Sequence, residues 1–294
     1  MAGYIVYNGF WNPHTPPDPV QRLQAAARQR GWTLRPIPNT ALPIVVSPSG
    51  AAVPGMCPGD VALFWDKDIR LGQALTAMGV HLYNPIDAVA VCDDKGATHL
   101  ALAAQGIPMP RTLLAPMTYR DITAPIDAFL RRAMEELSFP MVVKECYGSL
   151  GGQVYWAHDP EELRRMAMSM GSKPFLVQEF MRAAAGEDLR LYVVGDRVIA
   201  AMRRHSDTDF RSNIAAGGQG EAYIPTPEQE LALRCCRTLG LAFGGVDLLW
   251  DATGAPVVCE VNSNAFMGGI TACTGVDVAG AIVEYVRRQE PIVR

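Results

Sequence analysis

The sequence lacks the cysteine and histidine spacings that mark zinc and redox sites. None of its seven cysteines forms a Cys-x-x-Cys pair, and its five histidines contain no His-x-x-x-His pair. These absences argue against a structural zinc site and against a redox dithiol. The odd number of cysteines also argues against a complete disulfide framework, so we expect free thiols in a reducing, cytoplasmic environment.

Long apolar runs and a strong charge of one sign are also missing. The uncharged stretch at residues 41–59 is interrupted by prolines, which excludes a membrane-spanning helix and predicts a loop or a short hairpin turning at residues 47–50. The N-terminus shows no basic segment followed by a long apolar one, so we expect no secretory signal. A net charge of −4 gives no general attraction for nucleic acid or anionic lipid, and we expect neither as a partner.

The pattern of strands and helices divides the chain into three predicted units. Over residues 1–92, short apolar strands alternate with helices, which predicts a small open parallel α/β sheet. Residues 93–176 show the order helix, strand, glycine-rich turn, strand and helix. Longer extended segments follow over residues 177–294, joined first by a hairpin at residues 195–196. We therefore expect an N-terminal α/β unit followed by two α+β units.

Three oxygen-bearing side chains lie on two neighbouring predicted strands near the C-terminus. Asp247 is on the first strand, and Glu260 and Asn262 are on the second. Residues i and i+2 of a strand point to one face, so Glu260 and Asn262 project together, and a short turn brings Asp247 beside them. Oxygen ligands of this kind suit Mg²⁺. The alternative is an exposed hairpin with ordinary surface acids, but the apolar neighbours on both strands favour partly buried acids.

A lysine followed by a glycine-rich turn forms the second candidate feature. Lys144 ends a predicted strand, and the turn after it contains Gly148, Ser149, Gly151 and Gly152. Glycines allow backbone N–H groups to approach phosphate oxygens closely, and the lysine adds a positive charge. The P-loop pattern is absent, and the turn precedes a strand rather than a helix. The alternative is a flexible hairpin without a ligand.

A basic segment forms the third candidate feature. Arg203 and Arg204 end a predicted strand, and Arg211 lies in the glycine-containing loop after it. Arginine makes forked contacts to carboxylates and phosphates, so these side chains suit a developing acyl-phosphate. The alternative is a solvated surface loop.

A shorter polar run follows one strand of the N-terminal sheet. Residues 65–68 read Trp-Asp-Lys-Asp and lie where a predicted parallel strand ends, which is the usual place for ligand contacts in such sheets. We expect this run to help line a cleft. The alternative is a helix start capped by Asp66 or Asp68.

Taken in order, these features resemble the ATP-grasp superfamily and, within it, the RimK-like alpha-L-glutamate ligases. The resemblance covers roughly residues 93–288 and implies an ATP-grasp fold, in which a central lid subdomain and a C-terminal subdomain clasp ATP. The stretches that carry the resemblance are Asp94-Lys95, Gly106–Pro110, Lys144 with its glycine turn, Val177–Phe180, Gly186–Arg190, Asp209–Asn213, Gly245–Asp247 and Glu260–Asn264.

The resemblance also implies roles for individual residues. Arg203 and Arg211 would bind the γ-phosphate and the acyl-phosphate, and Asp247, Glu260 and Asn262 would hold one or two Mg²⁺ ions, with Mn²⁺ as an alternative. Within the ATP site, the two lysines would contact the α- and β-phosphates, the segment 178–180 would hold adenine, and Asp188 or Glu187 would contact ribose. The implied nucleotide-binding residues are Lys95, Lys144, Gly148, Ser149, Gly151, Gly152, Gln178, Glu179, Phe180, Glu187, Asp188 and Asn213.

The activity that the resemblance implies is an ATP-dependent ligation of a carboxylate to an amine through an acyl-phosphate, with release of ADP. In the family the amine is often that of glutamate, and the acceptor is a peptide, a protein C-terminus or a small molecule. Homo-oligomers are common among such proteins. Two alternatives remain open at this point: another ATP-grasp peptide ligase of the D-alanine–D-alanine type, or a non-catalytic ATP-binding regulatory protein.

Overall fold

A computed structural model of the chain contains three main sheets and one small hairpin within the part that it describes. Two predicted nucleotide-binding residues, Ser149 and Asn213, lie outside that part. The described residues are 2–11, 15–119, 126–148, 151–212 and 217–290.

The N-terminal unit is a parallel sheet with the strand order β2-β1-β5-β6. A separate hairpin of β3 and β4 turns at residues 47–50, as the sequence predicted. The elements of this unit are β1 (Gly3–Tyr7), α1 (Asp18–Gln29), β2 (Leu34–Pro38), β3 (Val45–Ser47), β4 (Gly50–Ala52), β5 (Val61–Trp65), α2 (Ile69–Ala77), β6 (His81–Tyr83) and α3 (Ile86–Asp93).

The central unit is an antiparallel sheet with the strand order β7-β10-β8-β9. Helices α5 and α6 cover it through an apolar core that includes Leu130, Leu163 and Phe175. The predicted boundary between residues 176 and 177 falls inside β10. The elements are α4 (Lys95–Ala103), β7 (Thr112–Leu114), α5 (Asp127–Glu136), β8 (Met141–Glu145), β9 (Val154–Ala157), α6 (Pro160–Ser169) and β10 (Phe175–Glu179).

The C-terminal unit is a five-stranded antiparallel sheet with the order β13-β12-β11-β14-β15. Gly240 ends α7 with a positive φ of 71°, and the Asp277 side chain caps α9. The elements are β11 (Glu187–Val194), β12 (Arg197–His205), β13 (Gln219–Ala222), α7 (Glu228–Leu239), β14 (Phe243–Trp250), β15 (Pro256–Asn262), α8 (Gly268–Thr274) and α9 (Val278–Gln289).

The two faces of the C-terminal sheet differ in composition. One face carries Leu189, Leu191 and Val246, which share an apolar core with residues of α7. The opposite face carries Tyr192 and Phe243, which pack with residues of the N-terminal sheet and of α9. Alternate side chains of a strand point to the same side, so Asp188 and Arg190 share this second face with Tyr192. The face is therefore charged toward the start of β11. The charged part of this face forms the centre of the site described below.

A buried asparagine joins the N-terminal sheet to the C-terminal sheet. Asn84 is fully buried, and its amide donates to the carbonyl oxygens of Phe243 and Ser263. Its side-chain oxygen accepts hydrogen bonds from the backbone N–H groups of Ala242 and Phe243. All of its main hydrogen-bonding capacity is therefore satisfied across the boundary, which fixes the N-terminal sheet against the C-terminal one.

Within the described ranges, no single helix has both the length and the apolar composition needed to cross a membrane. Helices α8 and α9 meet both criteria only when they are taken together, and the chain bends by 109° at the break between them.

Candidate active site

A strip of charged side chains crosses one face of the C-terminal sheet. Arg190 of β11 makes a forked ion pair with Asp247 of β14, with N···O distances of 2.6 and 2.5 Å. Arg204 of β12 makes a second fork to Asp188, at 2.6 and 2.5 Å, and also reaches Asp247 at 3.1 Å. Glu260 of β15 lies directly opposite Asp247 in the strand register. These five residues, from four strands, form what we call the charged strip.

Asp247 is fixed as a carboxylate in this strip. Burial alone would raise its pKa, but the charges of Arg190 and Arg204 outweigh that effect and lower the pKa of Asp247 to about 2. Arg204 and Asp247 are each only 3% exposed. Buried ion pairs of this kind are held in place because separating either partner leaves an uncompensated charge away from water.

A β-bulge decides which arginine of β12 joins the strip. Near the hairpin turn Val193 pairs with Val198, but the next pair is Tyr192 with Ala200, so Ile199 is an extra residue on β12. Without this bulge, Arg203 would lie opposite Asp188. Successive side chains of a strand point to opposite sides, so the extra residue places Arg204 on the face of Asp188 and turns Arg203 to the other face.

Arg203 therefore lies apart from the charged strip. Its guanidinium is 2.6 Å from Glu187 and lies over the ring of Trp250. It lines neither of the two cavities described below. A contact between Arg203 and a phosphoryl group stays a prediction, whereas the structure brings its neighbour in the basic run, Arg204, into the strip.

The first cavity lies between the central sheet and the C-terminal sheet and has a volume of about 110 Å³. Its walls contain most of the predicted nucleotide-binding side chains. They are Lys95, Lys144, Gly148, Gly151, Gln178, Glu179, Phe180, Glu187 and Asp188, together with Arg211, Asp247 and Glu260.

Two lysines supply positive charge to the wall of this cavity. Lys95, at the start of α4, donates to the carbonyl oxygen of Gly148 at 3.0 Å and lies 3.3 Å from Glu260. Lys144 is 7% exposed and contacts the Cys259 sulfur at 3.8 Å, but it forms no ion pair with a described carboxylate. A buried ammonium without an anionic partner is costly, so this lysine favours an anionic ligand.

The glycine-rich turn forms the lid side of the first cavity. Gly148 has a φ of 145°, a backbone conformation that favours glycine, and a Cβ at this position would lie 2.4 Å from the side-chain oxygen of Gln153. Arg211 donates to the carbonyl oxygen of Gly151 at 2.6 Å and is held by Asp209. Gly152 is exposed in the same turn.

The hinge segment 178–180 closes the other end of the cavity. The Gln178 amide contacts His99 and Thr112, and Glu179 exchanges hydrogen bonds with the backbone of Arg111. These contacts hold the segment in position. Phe180 forms an aromatic group with Trp156 and Phe210. Its ring centroid lies 4.9 Å from that of Trp156 and 6.2 Å from that of Phe210. An apolar, aromatic wall of this kind suits a planar base.

A second cavity of about 590 Å³ lies on the other side of the charged strip, between the N-terminal and C-terminal sheets. Three residues of the charged strip, Arg190, Arg204 and Glu260, form one wall of this cavity. Asp66, Asn262 and Asn264 also line it, and each has a buried side-chain atom without a hydrogen-bond partner among the described residues. Glu260 lines both cavities.

The run at residues 65–68 has both of the roles considered for it. Trp65, Asp66 and Lys67 line the second cavity, as predicted. Asp68 caps α2 by accepting a hydrogen bond from the N–H of Leu71. The two interpretations therefore apply to different residues of one run.

The oxygen donors predicted to bind metal lie together at the boundary of the two cavities. Asp247 and Glu260 pair across neighbouring strands, and Asn262 follows on the same face of β15. Both oxygens of Asp247 are engaged by arginine, whereas Glu260 is partly exposed. The part of the chain that the structure describes holds no group of three or more His, Cys, Asp and Glu residues arranged to hold a metal ion. The donor set is therefore two carboxylates and one amide.

Arg190 and Arg204 are the functional candidates that the sequence interpretation did not assign. Arg190 lies two residues after Asp188 on one strand, so the period of two places both on one face. That signal was available in the sequence. For Arg204 the available signal pointed to its neighbour, because the bulge at Ile199 cannot be read from the hairpin turn alone.

The sequence profile of the RimK-like ATP-grasp domain matches residues 92–286. The chain is 36% identical over 285 residues to a protein named probable alpha-L-glutamate ligase from Xanthomonas oryzae pv. oryzae (strain MAFF 311018), covering 92% of this chain and 93% of that protein.

Solved structures show the same fold. A RimK domain ATP-grasp protein from Sphaerobacter thermophilus DSM 20745 superimposes with a TM-score of 0.73 at 23% identity, covering 97% of this chain and 99% of the other. The ATP-grasp ligase PsnB, in complex with a phosphomimetic variant of its minimal precursor, Mg and ADP, gives a TM-score of 0.70 at 20% identity, with coverages of 98% and 99%. The predicted fold is confirmed.

Proposed function

Because this chain belongs to the RimK-like ATP-grasp family, we propose that it is an ATP-dependent carboxylate–amine ligase that forms an amide through an acyl-phosphate. The observation that carries the proposal is the position of the charged strip between two cavities, with Glu260 lining both. This arrangement suits transfer of a phosphoryl group from a nucleotide in one cavity to an acid in the other.

The first cavity would hold ATP. Lys95 and Lys144 supply two positive charges, and the turn containing Gly148 and Gly151 allows the backbone to approach phosphate oxygens. Phe180 supplies an apolar surface for adenine at the opposite end. The similar ligase PsnB was solved with ADP and Mg, which supports a nucleotide in the corresponding fold.

Asp247, Glu260 and Asn262 would hold Mg²⁺ at the junction of the cavities. The donor set fits, since all three supply hard oxygen ligands and Glu260 and Asn262 project from one face of β15. When bound, the ion would neutralise charge on the transferring phosphoryl group. The ion would share Asp247 with Arg190, whose guanidinium also holds that carboxylate in position.

The protein's own residues would act mainly by positioning and by cancelling charge. The acceptor carboxylate oxygen attacks the γ-phosphorus and ADP leaves. The neutral amine nitrogen then attacks the acyl carbon, the carbon–oxygen bond to phosphate breaks, and the nitrogen loses a proton to solvent. Arg190, Arg204 and Arg211 line the two cavities and would stabilise the negative charge that develops in both steps, since a single well-placed donor contributes roughly 3–4 kcal/mol to such a transition state. Closure of the glycine-rich turn would exclude water from the acyl-phosphate.

The amine donor is proposed to be an amino acid, with glutamate as the first candidate, and the acceptor to be a peptide or small-molecule carboxylate. The similarity to a probable alpha-L-glutamate ligase supports glutamate. The similarity to PsnB, solved with its precursor, supports a peptide acceptor.

The test is ADP release from Mg-ATP with each of the twenty amino acids and D-alanine, alone and with short peptides that end in glutamate. Release that depends on both an amine and a carboxylate supports the ligase and identifies its donor. Release with D-alanine alone would assign the D-alanine–D-alanine type of reaction instead. Nucleotide binding without release under any combination would contradict the proposed activity.

A further inference from the structure

The second cavity contains one negative charge that has no partner among the described residues. Lys67 pairs with Asp93 at 2.5 Å, outside the cavity. The other charged lining residues are paired as well, since Arg190 and Arg204 contact Asp247 or Asp188 and Glu260 contacts Lys95. For Asp66, no lysine, arginine or histidine of the described chain lies within 4.0 Å.

The Asp66 carboxylate is nevertheless held in a fixed orientation. Its Oδ1 accepts hydrogen bonds from the backbone N–H of Lys67 at 2.7 Å and from the Asn8 amide at 3.3 Å. Its Oδ2 is buried without a partner, and the residue as a whole is 4% exposed. Burial raises the pKa of Asp66, which is the expected result when an anion is desolvated without a compensating cation. A bound cation would remove that cost.

We propose that Asp66 binds the ammonium group of the amino-acid substrate in the second cavity, opposite the charged strip. This inference rests on the proposed ligase function and names the residue that receives the amine. The Asn264 side-chain oxygen is a second acceptor, because its amide nitrogen already donates to the backbone oxygen of Asp66 and its oxygen has no partner.

The remaining lining residues also fit an amino acid. Asn262 presents an unpartnered amide N–H group, which would donate a hydrogen bond to an oxygen of the substrate. Trp11, Trp65 and Phe266 add aromatic surface, which attracts an ammonium group. The site thus offers acceptors for an ammonium group and a donor for a carboxylate oxygen, and an amino acid carries both of these groups.

The first experiment measures binding of each of the twenty amino acids by titration calorimetry, in the presence of Mg-ADP, to the wild type and to Asp66→Asn. Asparagine keeps the Oδ1 acceptor for Asn8 and Lys67 but loses the charge. We expect at least one amino acid to bind the wild type, and the variant to bind it roughly 10–100-fold more weakly, as for one charge-assisted hydrogen bond.

Asp68→Asn is the matched control, because it removes a carboxylate two residues away and asparagine also caps helices well. This control should bind the amino acid as the wild type does. A second comparison uses the deaminated acid of the bound amino acid, such as glutarate for glutamate. That acid should bind the wild type weakly, and its affinities for the wild type and for Asp66→Asn should be similar.

Three results would overturn the proposal: no amino acid binds the wild type, binding survives in Asp66→Asn, or the deaminated acid binds the wild type as tightly as the amino acid. Failure of the proposed function gives a different pattern. In that case amino acids bind in an Asp66-dependent way, but no ADP is released. If instead ADP release is retained in Asp66→Asn with an unchanged KM for the amine, the ligase stands and the assignment of Asp66 fails.

Discussion

The two cavities that meet at Glu260 are built in different ways. The first is about 110 Å³ and is formed by the central and C-terminal sheets, with two lysines and a glycine-rich turn. The second is about 590 Å³ and is formed by the N-terminal and C-terminal sheets, with aromatic rings and a single unpaired carboxylate among its described residues. The first is narrow and carries both lysines and carboxylates, and the second is wide and lined partly by aromatic rings.

Under the proposed function, this difference would separate two tasks. A polyanion such as ATP is held by fixed positive charge and by backbone N–H groups, so its cavity needs few specific side chains. A small amphoteric substrate has to be oriented, so its cavity needs donors and acceptors at defined places. The charged strip lies between the cavities and would serve both, because its ion pairs hold the arginines and carboxylates together.

A substitution in the charged strip should have the largest effect on stability, because the strip forms a wall of both cavities. Arg204→Met leaves Asp188 and Asp247 buried with one cation fewer, and we expect a loss of roughly 3–5 kcal/mol in the free energy of unfolding. Denaturant unfolding measures this. Arg203→Met is the matched control: its ion pair with Glu187 is 41% exposed on the arginine side, so a change under about 1 kcal/mol is expected. Equal effects of the two variants would contradict the buried role of Arg204.

Removing the charge of the residue that lines both cavities should stop turnover without unfolding the protein. Glu260→Gln keeps the shape of a partly exposed side chain but loses one proposed metal-ligand charge, so we expect kcat to fall about 100-fold or more. ADP release measures turnover, and thermal unfolding checks the fold. Glu230→Gln, in an exposed pair with Arg237, should leave both unchanged. Normal turnover in Glu260→Gln would remove the metal assignment.

A change in the first cavity alone should weaken nucleotide binding and leave amino-acid binding intact. Lys144→Met removes a buried ammonium that has no carboxylate partner among the described residues, and we expect the Kd for ADP to rise roughly 10–100-fold. Titration calorimetry with ADP measures the change. Lys173→Met, on an exposed lysine paired with Glu145, is the control. An unchanged Kd for ADP in Lys144→Met would show that the narrow cavity does not hold phosphates through this lysine.

The smallest effect concerns a histidine beneath the first cavity. Burial, followed by the charges of Lys144 and Lys95, lowers the pKa of His99 from 6.5 to about 4. The unfolded chain therefore binds the proton first, so this contribution to stability is complete above pH 6.5 and is lost as the pH falls toward 4. Between pH 7 and pH 5 we expect a loss of roughly 1–2 kcal/mol.

Denaturant unfolding at several pH values checks this expectation. His99→Gln lacks the titrating group, so its stability should fall less between pH 7 and pH 5 than that of the wild type. Identical pH profiles of the two proteins would show that His99 does not titrate as its burial suggests.

The local features of the first cavity followed from the sequence. The positive φ of Gly148, the helix start at Lys95 and the shared face of Glu260 and Asn262 depend on residues close together in the chain, so turn chemistry, capping and the period of two predict them. The parallel N-terminal sheet and most strands of the other two units were also predicted, because apolar periodicity is a local signal, whereas β7 and β13 were not.

The tertiary structure decided the rest. One extra residue in β12 turned Arg204 instead of Arg203 toward Asp188, and a one-residue shift reverses every side chain beyond it. The second cavity depends on contacts between residues about two hundred positions apart, such as Asn264 with Asp66. The sequence by itself therefore predicted most of the residues that line the first cavity. Only packing of the N-terminal sheet against the C-terminal sheet determined the second cavity, because no local pattern records which distant surfaces will meet.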